Sequence, residues 1–231
     1  LTHKPDWDYT DIIGRLFMKK WIIILAALAL LIGFNAYIEY KGSSNDHSDH
    51  KEQATSPKPV PPAKLGQATM EPGRVVELKT NKGIIAFVLF EKDCPKTTAR
   101  IVSLVQKGAY SEVSFPRVED WIIQTDSAKA DVPGIGIETL DGLTHSKGAV
   151  GMARKGMDYN SNTSVFYILK EPQYNLDGEY TIFGRLILGM DVVLKITSRD
   201  YIISARVRPF TKSDKMAYDE VLKIEAERDV Q

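Results

Sequence analysis

Nucleophilic or metal chemistry needs histidine, cysteine and carboxylates drawn together, and this sequence places few of them where a fold could gather them. The four histidines are His3, His47, His50 and His145, and the single cysteine is Cys94. One cysteine excludes an intrachain disulfide framework and any multi-cysteine zinc or iron–sulfur site. His47 and His50, interleaved with Asp46 and Asp49, have donors suited to a divalent metal, but they stand in a solvated polar stretch where such histidines act as spacer. His145 is the one histidine of the folded part and reads as a structural or surface residue. No second member exists there for a histidine-based triad or ligand cluster, so no metal enzyme is expected. Cys94 opens a helix beside Lys96, a setting that lowers a thiol pKa, although a small packed residue is the plainer reading. The more distinctive group is Arg117, in Phe115-Pro116-Arg117-Val118, followed closely by Trp121-Ile122-Ile123-Gln124. A guanidinium stays charged and presents several N–H donors in one plane, which suits it to stabilising charge without moving a proton. Taken alone, an arginine beside a proline is most often a solvated surface side chain.

The elements that must carry these residues are unevenly spread. The run WIIILAALALLIGFNAYI, Trp21 to Ile38, has Asn35 as its only strongly polar member and no polar stripe. As a helix it would span ~27 Å, enough for a thin bilayer core. Arg15, Lys19 and Lys20 precede it and only Lys41 follows closely, which places residues 1–20 in the cytoplasm and the rest outside. The reading is therefore a single transmembrane anchor over residues 21–38. A cleaved signal peptide, giving a secreted chain, is the alternative, but Phe34-Asn35-Ala36 puts a bulky residue where cleavage wants a small one. The chain begins at Leu1, and Met18 is a candidate for the true start. Residues 39–73 are polar and punctuated by Pro57, Pro59, Pro61 and Pro62, the composition of a disordered tether.

Residues 74–231 read as one globular domain. RVVELKT and IIAFVLF, around Asn81-Lys82-Gly83, form a hairpin. Asp93-Cys94-Pro95 then opens a helix running to about Lys107 and ended by Gly108, with Ala99, Val102, Leu104 and Val105 on its buried face. Further strands are expected at Trp121–Gln124, Ala149–Ala153, Val165–Leu169, Thr181–Leu186 and Val221–Glu225, with a short helix over Asp191–Thr197 after Gly189. Many strands and two helices predict a mainly β domain, a closed or nearly closed antiparallel barrel. The 30 basic and 30 acidic side chains cancel, which removes the basic excess that a nucleic-acid binder needs.

In their order, LKTNKGIIAFVLFEKDCPKTTARIVSLVQKGAY, FPRV, WIIQ, GAVGMAR, NSNTSVFYI, LDGEYTIFGRL and GMDVV resemble the cyclophilin family of peptidyl-prolyl cis–trans isomerases. The resemblance implies an eight-stranded antiparallel barrel with a helix over each open end, a substrate groove on its outer wall, and no cofactor. It matches Arg117 to the family's catalytic arginine. Trp121, Ile122 and Gln124 match a stretch that walls the proline slot and supplies an amide orienting the arginine. Tyr167 matches the slot's floor and Leu176 its edge, while the backbone of Ala153 and Arg154 matches the pair that holds an extended peptide. Val165 and Tyr180 stand where the family has a peptide-binding glutamine and often a histidine. Further departures are Pro116 for a histidine, Asn175 for a tryptophan, and a hydroxyl brought by Tyr167 to an apolar slot.

The implied chemistry needs no covalent step. Rotation about a peptide bond faces a barrier of ~18–20 kcal/mol because the nitrogen lone pair is delocalised. A catalyst must bind the twisted amide, whose nitrogen accepts a hydrogen bond, better than either planar isomer. The expected function is a prolyl isomerase tethered at the outer face of the plasma membrane, acting on X–Pro segments of exported or unfolded proteins. The alternative is a weakly active or inactive module that binds proline-containing partner segments.

Overall fold

The computed structural model describes residues 61–228, and the expected membrane span and most of the expected tether lie outside them. No helix among the described residues is long and apolar enough to cross a membrane. Residues 64–70, at the end of the expected tether, are strapped to the domain. Leu65 N–H donates to Thr139 O, and Ala68 N–H to Asp141 O, each at 2.8 Å. The Asp93 carboxylate accepts from the backbone N–H of Thr69 and Met70 at 2.9 and 2.8 Å.

Nine strands form one curled antiparallel sheet: β1 Val75–Thr80, β2 Gly83–Leu89, β3 Val113–Ser114, β4 Arg117–Glu119, β5 Ile122–Gln124, β6 Ala149–Met152, β7 Phe166–Leu169, β8 Ile182–Leu188 and β9 Tyr201–Arg208. Their order is β3-β9-β1-β2-β8-β6-β7-β5-β4. The sheet's two end strands, β3 and β4, are consecutive pieces of one run broken at Phe115-Pro116, so its ends are joined by the chain itself. Proline has no N–H to give a ladder, which is why the run splits into two strands with different partners. Phe87, Phe166 and Phe183 meet inside the curl at centroid distances of 5.9–6.4 Å, with Tyr110 5.4 Å from Phe166.

Helix α1, Pro95–Gln106, takes Cys94 rather than Asp93 as its N-cap residue. Its free N-terminal N–H groups are satisfied from a distant loop. The buried Glu138 carboxylate accepts from Lys96 N–H at 3.1 Å, Thr97 N–H at 2.8 Å and the Thr97 hydroxyl at 2.7 Å. An acid at that end also meets the helix dipole favourably. Ala99 is exposed instead of buried, because the face that packs is Thr97, Thr98, Ile101, Val102, Leu104 and Val105, set by the 3.6-residue period. Burial pushes the Cys94 thiol well above its usual pKa, and its Sγ lies 3.2 Å from Ile182 O, so the cysteine is a packing residue.

Helix α2, Met190–Val193, is shorter than expected and follows Gly189, whose φ of +90° and close approach to Ile84 O admit no side chain. The C-terminal segment departs most from expectation. Val221–Glu225 is not the closing strand but lies inside a third helix, α3 Lys212–Arg228. The helix opens with a reciprocal box: the Thr211 N–H donates to Asp214 Oδ2 at 2.8 Å, and Asp214 N–H to Thr211 Oγ1 at 3.3 Å. The strand that closes the sheet is β9, paired along β1 from Val75↔Arg208 to Thr80↔Ile202. Tyr218 docks α3, its ring 6.4 Å from Phe90 and its hydroxyl donating to Met70 O at 2.8 Å.

Candidate active site

Register draws the candidate residues into one row. Arg117 on β4 pairs with Gln124 on β5, Gln124 with Tyr167 on β7, and Tyr167 with Gly151 on β6. Directly paired residues share a face, so a cation, an amide, a phenol and a gap follow one another across four strands. Trp121 joins them because it immediately precedes β5, where its backbone carbonyl accepts from Lys170 N–H at 2.8 Å. The Arg117 guanidinium lies over the indole, 5.0 Å from the ring centroid.

Among the described residues, the arginine's hydrogen-bond partner is Glu119 and not Gln124. Arg117 Nε donates to Glu119 Oε1 at 2.7 Å. Glu119 lies two residues along the same strand face, and an ionised carboxylate outcompetes a neutral amide for a guanidinium. The contact with Arg117 that the resemblance gives to Gln124 is therefore made by Glu119 here. That hydrogen bond holds the Glu119 carboxyl below its usual pKa. It engages Nε and leaves the Nη groups without a hydrogen-bond partner among the described residues.

Tyr167 is only 3% exposed, and burial drives its hydroxyl pKa well up. Its ring lies across Gly151, where an added Cβ would fall 2.4 Å from both Cζ and Oη. Tyr180 meets the ring edge-on at 6.3 Å. Arg154 is sandwiched between Tyr159 and Tyr180, its Cζ 4.5 and 4.4 Å from their centroids. Its Nε and Nη2 donate to Glu179 at 3.0 and 3.1 Å. The arginine side chain is thus committed to the wall.

Ala153 N–H is used by Val165 O at 2.9 Å, which sets Val165 beside Ala153. Among the described residues the Arg154 N–H and C=O make no hydrogen bond and remain open to an extended peptide. Leu176 ends a 3-10 turn, Tyr174–Leu176, and its carbonyl accepts from Tyr180 N–H at 3.3 Å. Ile122 is buried on the row's face, opposite Leu169.

Replacing Gly151 by alanine is expected to push the Tyr167 ring off its seat and lower kcat/KM on X–Pro peptides roughly tenfold. Activity and near-ultraviolet circular dichroism check this together, since a displaced tyrosine changes both. Full activity would mean that the ring's place is immaterial.

Three contributors were not legible by spacing. Gly151 looks like an ordinary strand glycine, Glu119 like a surface acid, and His145, with Asp177, reaches the site from a separate loop. The first two carry a retrospective signal in strand alternation, while His145 carries none.

A family model described as cyclophilin type peptidyl-prolyl cis-trans isomerase/CLD matches residues 75–218. The chain is 34% identical over 135 residues to a peptidyl-prolyl cis-trans isomerase of Arabidopsis thaliana, covering 53% of this chain and 80% of that protein. It is 32% identical over 136 residues to a Helicobacter pylori peptidyl-prolyl cis-trans isomerase, covering 55% and 82%. A crystal structure of a Cryptosporidium parvum cyclophilin type isomerase superposes with a TM-score of 0.54 at 25% identity, over 60% of this chain and 99% of that one. With the strand row that carries Arg117, Gln124 and Tyr167, these likenesses establish that the chain belongs to the cyclophilin-type peptidyl-prolyl cis–trans isomerase family.

Proposed function

We propose that this isomerase works at the outer face of a membrane, on X–Pro segments of proteins that are exported or unfolded. The observation that carries the active-site part is the single row Arg117–Gln124–Tyr167–Gly151 with Trp121 beneath the guanidinium. A proline ring would lie against Trp121, Ile122, Tyr167, Leu176 and Tyr180. An extended peptide would pair with the Arg154 backbone beside Ala153 and Val165. Arg117 Nη would then reach the prolyl nitrogen as the amide twists and its lone pair localises. Selectivity comes from the ring slot, because backbone pairing is indifferent to the flanking side chains. No step calls for a metal, a nucleophile or a cofactor.

The membrane part is supported by the apolar run Trp21–Ile38 and the cations before it. The full-length protein is expected to sediment with membranes after alkaline carbonate washing. Its folded domain should be cut by protease added outside intact spheroplasts. Recovery in the soluble fraction, or protection until lysis, would remove the tethered, outward-facing reading and leave the isomerase untouched. In the same preparation, NMR exchange of an X–Pro peptide tests turnover. Peptide binding without accelerated exchange would instead favour a recognition module.

A further inference from the structure

Tyr167 brings a hydroxyl to a surface where the proline ring wants apolar contact, and a buried O–H must find an acceptor. The acceptor here is His145, whose Nε2 lies 2.8 Å from the phenol oxygen. The imidazole is 0% exposed, and its Nδ1 stands 2.6 Å from Asp177 Oδ1. A carboxylate can only accept, so Nδ1 carries a proton. With that as the ring's single proton, Nε2 accepts and the Tyr167 hydroxyl donates, the arrangement in which every partner is satisfied.

The histidine is held at its backbone as well. Its N–H donates to the same Asp177 oxygen at 2.7 Å, and its carbonyl accepts from Gln173 N–H at 2.7 Å. The imidazole and phenol rings lie nearly parallel, 21° apart with centroids at 6.1 Å. Tyr180 closes the other side, edge-on to His145 at 6.5 Å.

We propose that His145 is a positioning residue for the isomerase site, a role that rests on the reading given above. It accepts the hydrogen bond of the Tyr167 hydroxyl, turns that O–H away from the substrate, and keeps the floor of the slot apolar towards the proline ring. Asp177 decides which imidazole nitrogen does the accepting. Without the acceptor, the hydroxyl is left unpaired in a dry site or turns towards the substrate. Either outcome penalises an apolar ring, so the effect falls on peptide affinity and KM more than on kcat. Phenylalanine at position 167 has no proton to place and makes His145 dispensable.

Nitrogen NMR of the full-length protein in detergent micelles reads the first half directly. His145 is expected to carry its proton on Nδ1 and none on Nε2, and a proton on Nε2, alone or beside one on Nδ1, would overturn the proposal. Titration with an X–Pro peptide reads the second half. His145→Ala is expected to raise the peptide Kd about tenfold, while the same substitution made in a Tyr167→Phe background should leave that background's own Kd unchanged. The double variant should match Tyr167→Phe alone. His145→Gln, whose Oε1 can accept the hydrogen bond of the phenol, should recover part of the loss, and it serves if the alanine variant does not fold. Equal losses in both backgrounds, or none in either, would overturn the proposal. Since Kd is read without turnover, a protein that binds peptide but does not isomerise it would end the isomerase reading and still decide the role of His145.

Discussion

Arg117→Ala is expected to lower kcat/KM for X–Pro isomerisation by ~10²–10³-fold, the usual loss on removing a donor aimed at developing charge. Stability should hardly change. The Arg117 and Glu119 side chains are 44% and 45% exposed, and ion pairs so open to water contribute little to folding. The stacking over Trp121 is likewise at the surface. Arg117→Lys should keep only a small part of the activity. Lysine replaces the planar fork by a point charge, cannot give Nε to Glu119 while presenting Nη groups to the substrate, and stacks less well on the indole. NMR exchange on a panel of X–Pro peptides measures all three proteins, with thermal melts alongside. Unchanged exchange in the alanine variant would take the catalytic role away from Arg117.

The second large effect concerns folding. Arg185 on β8 is fully buried, and its Nη1 donates to Glu225 Oε1 at 2.6 Å and to the Ser146 hydroxyl. Its Nε and Nη2 have no partner among the described residues, and burial pulls its pKa below the usual value. Glu225 is therefore the counter-charge of a costly buried cation. It lies on α3, past residue 218 where the family match ends. Glu225→Ala should destabilise the domain by about 3 kcal/mol, a fall in Tm of ~6–12 °C for a domain of this size. Adding Arg185→Met should restore most of the loss, because an apolar chain of similar length has no charge to strand. Calorimetry of both variants tests this. A single variant as stable as the parent would mean that water already neutralises Arg185 and that α3 is not its cover.

That helix also marks the boundary of what could be read from sequence. Thr211-x-x-Asp214 is a helix-start pattern, and Tyr218, Val221, Leu222 and Glu225 follow at helical spacing. The short apolar stretch at Val221–Glu225 suits a strand equally well when taken alone, which is how the wrong element arises. The strand that does close the sheet, β9, is masked by Arg206 and Arg208. These lie beside Glu77 of β1, with Arg206 Nη2 2.6 Å from its Oε1. Cross-strand charge pairs of this kind become visible only once the register is known.

By itself the sequence determined the kind of domain, the hairpin, the helix after Cys94 and the identity of the row's cation and aromatics. Strand alternation, turn residues and motif order are local, and local patterns survive in one dimension. Only the tertiary structure decided how the site is finished. Glu138 caps α1 from a loop 41 residues away, Gly151 leaves room for Tyr167, and Glu119 displaces Gln124 as partner of Arg117. His145 meets Tyr167 across 22 residues and Asp177 across 32. Each of these pairings is chosen by the curl of the sheet and by the need of a buried polar group for a partner. The pairings of Glu138 and His145 leave no spacing in the chain, because distant groups brought together by packing have no fixed separation in sequence.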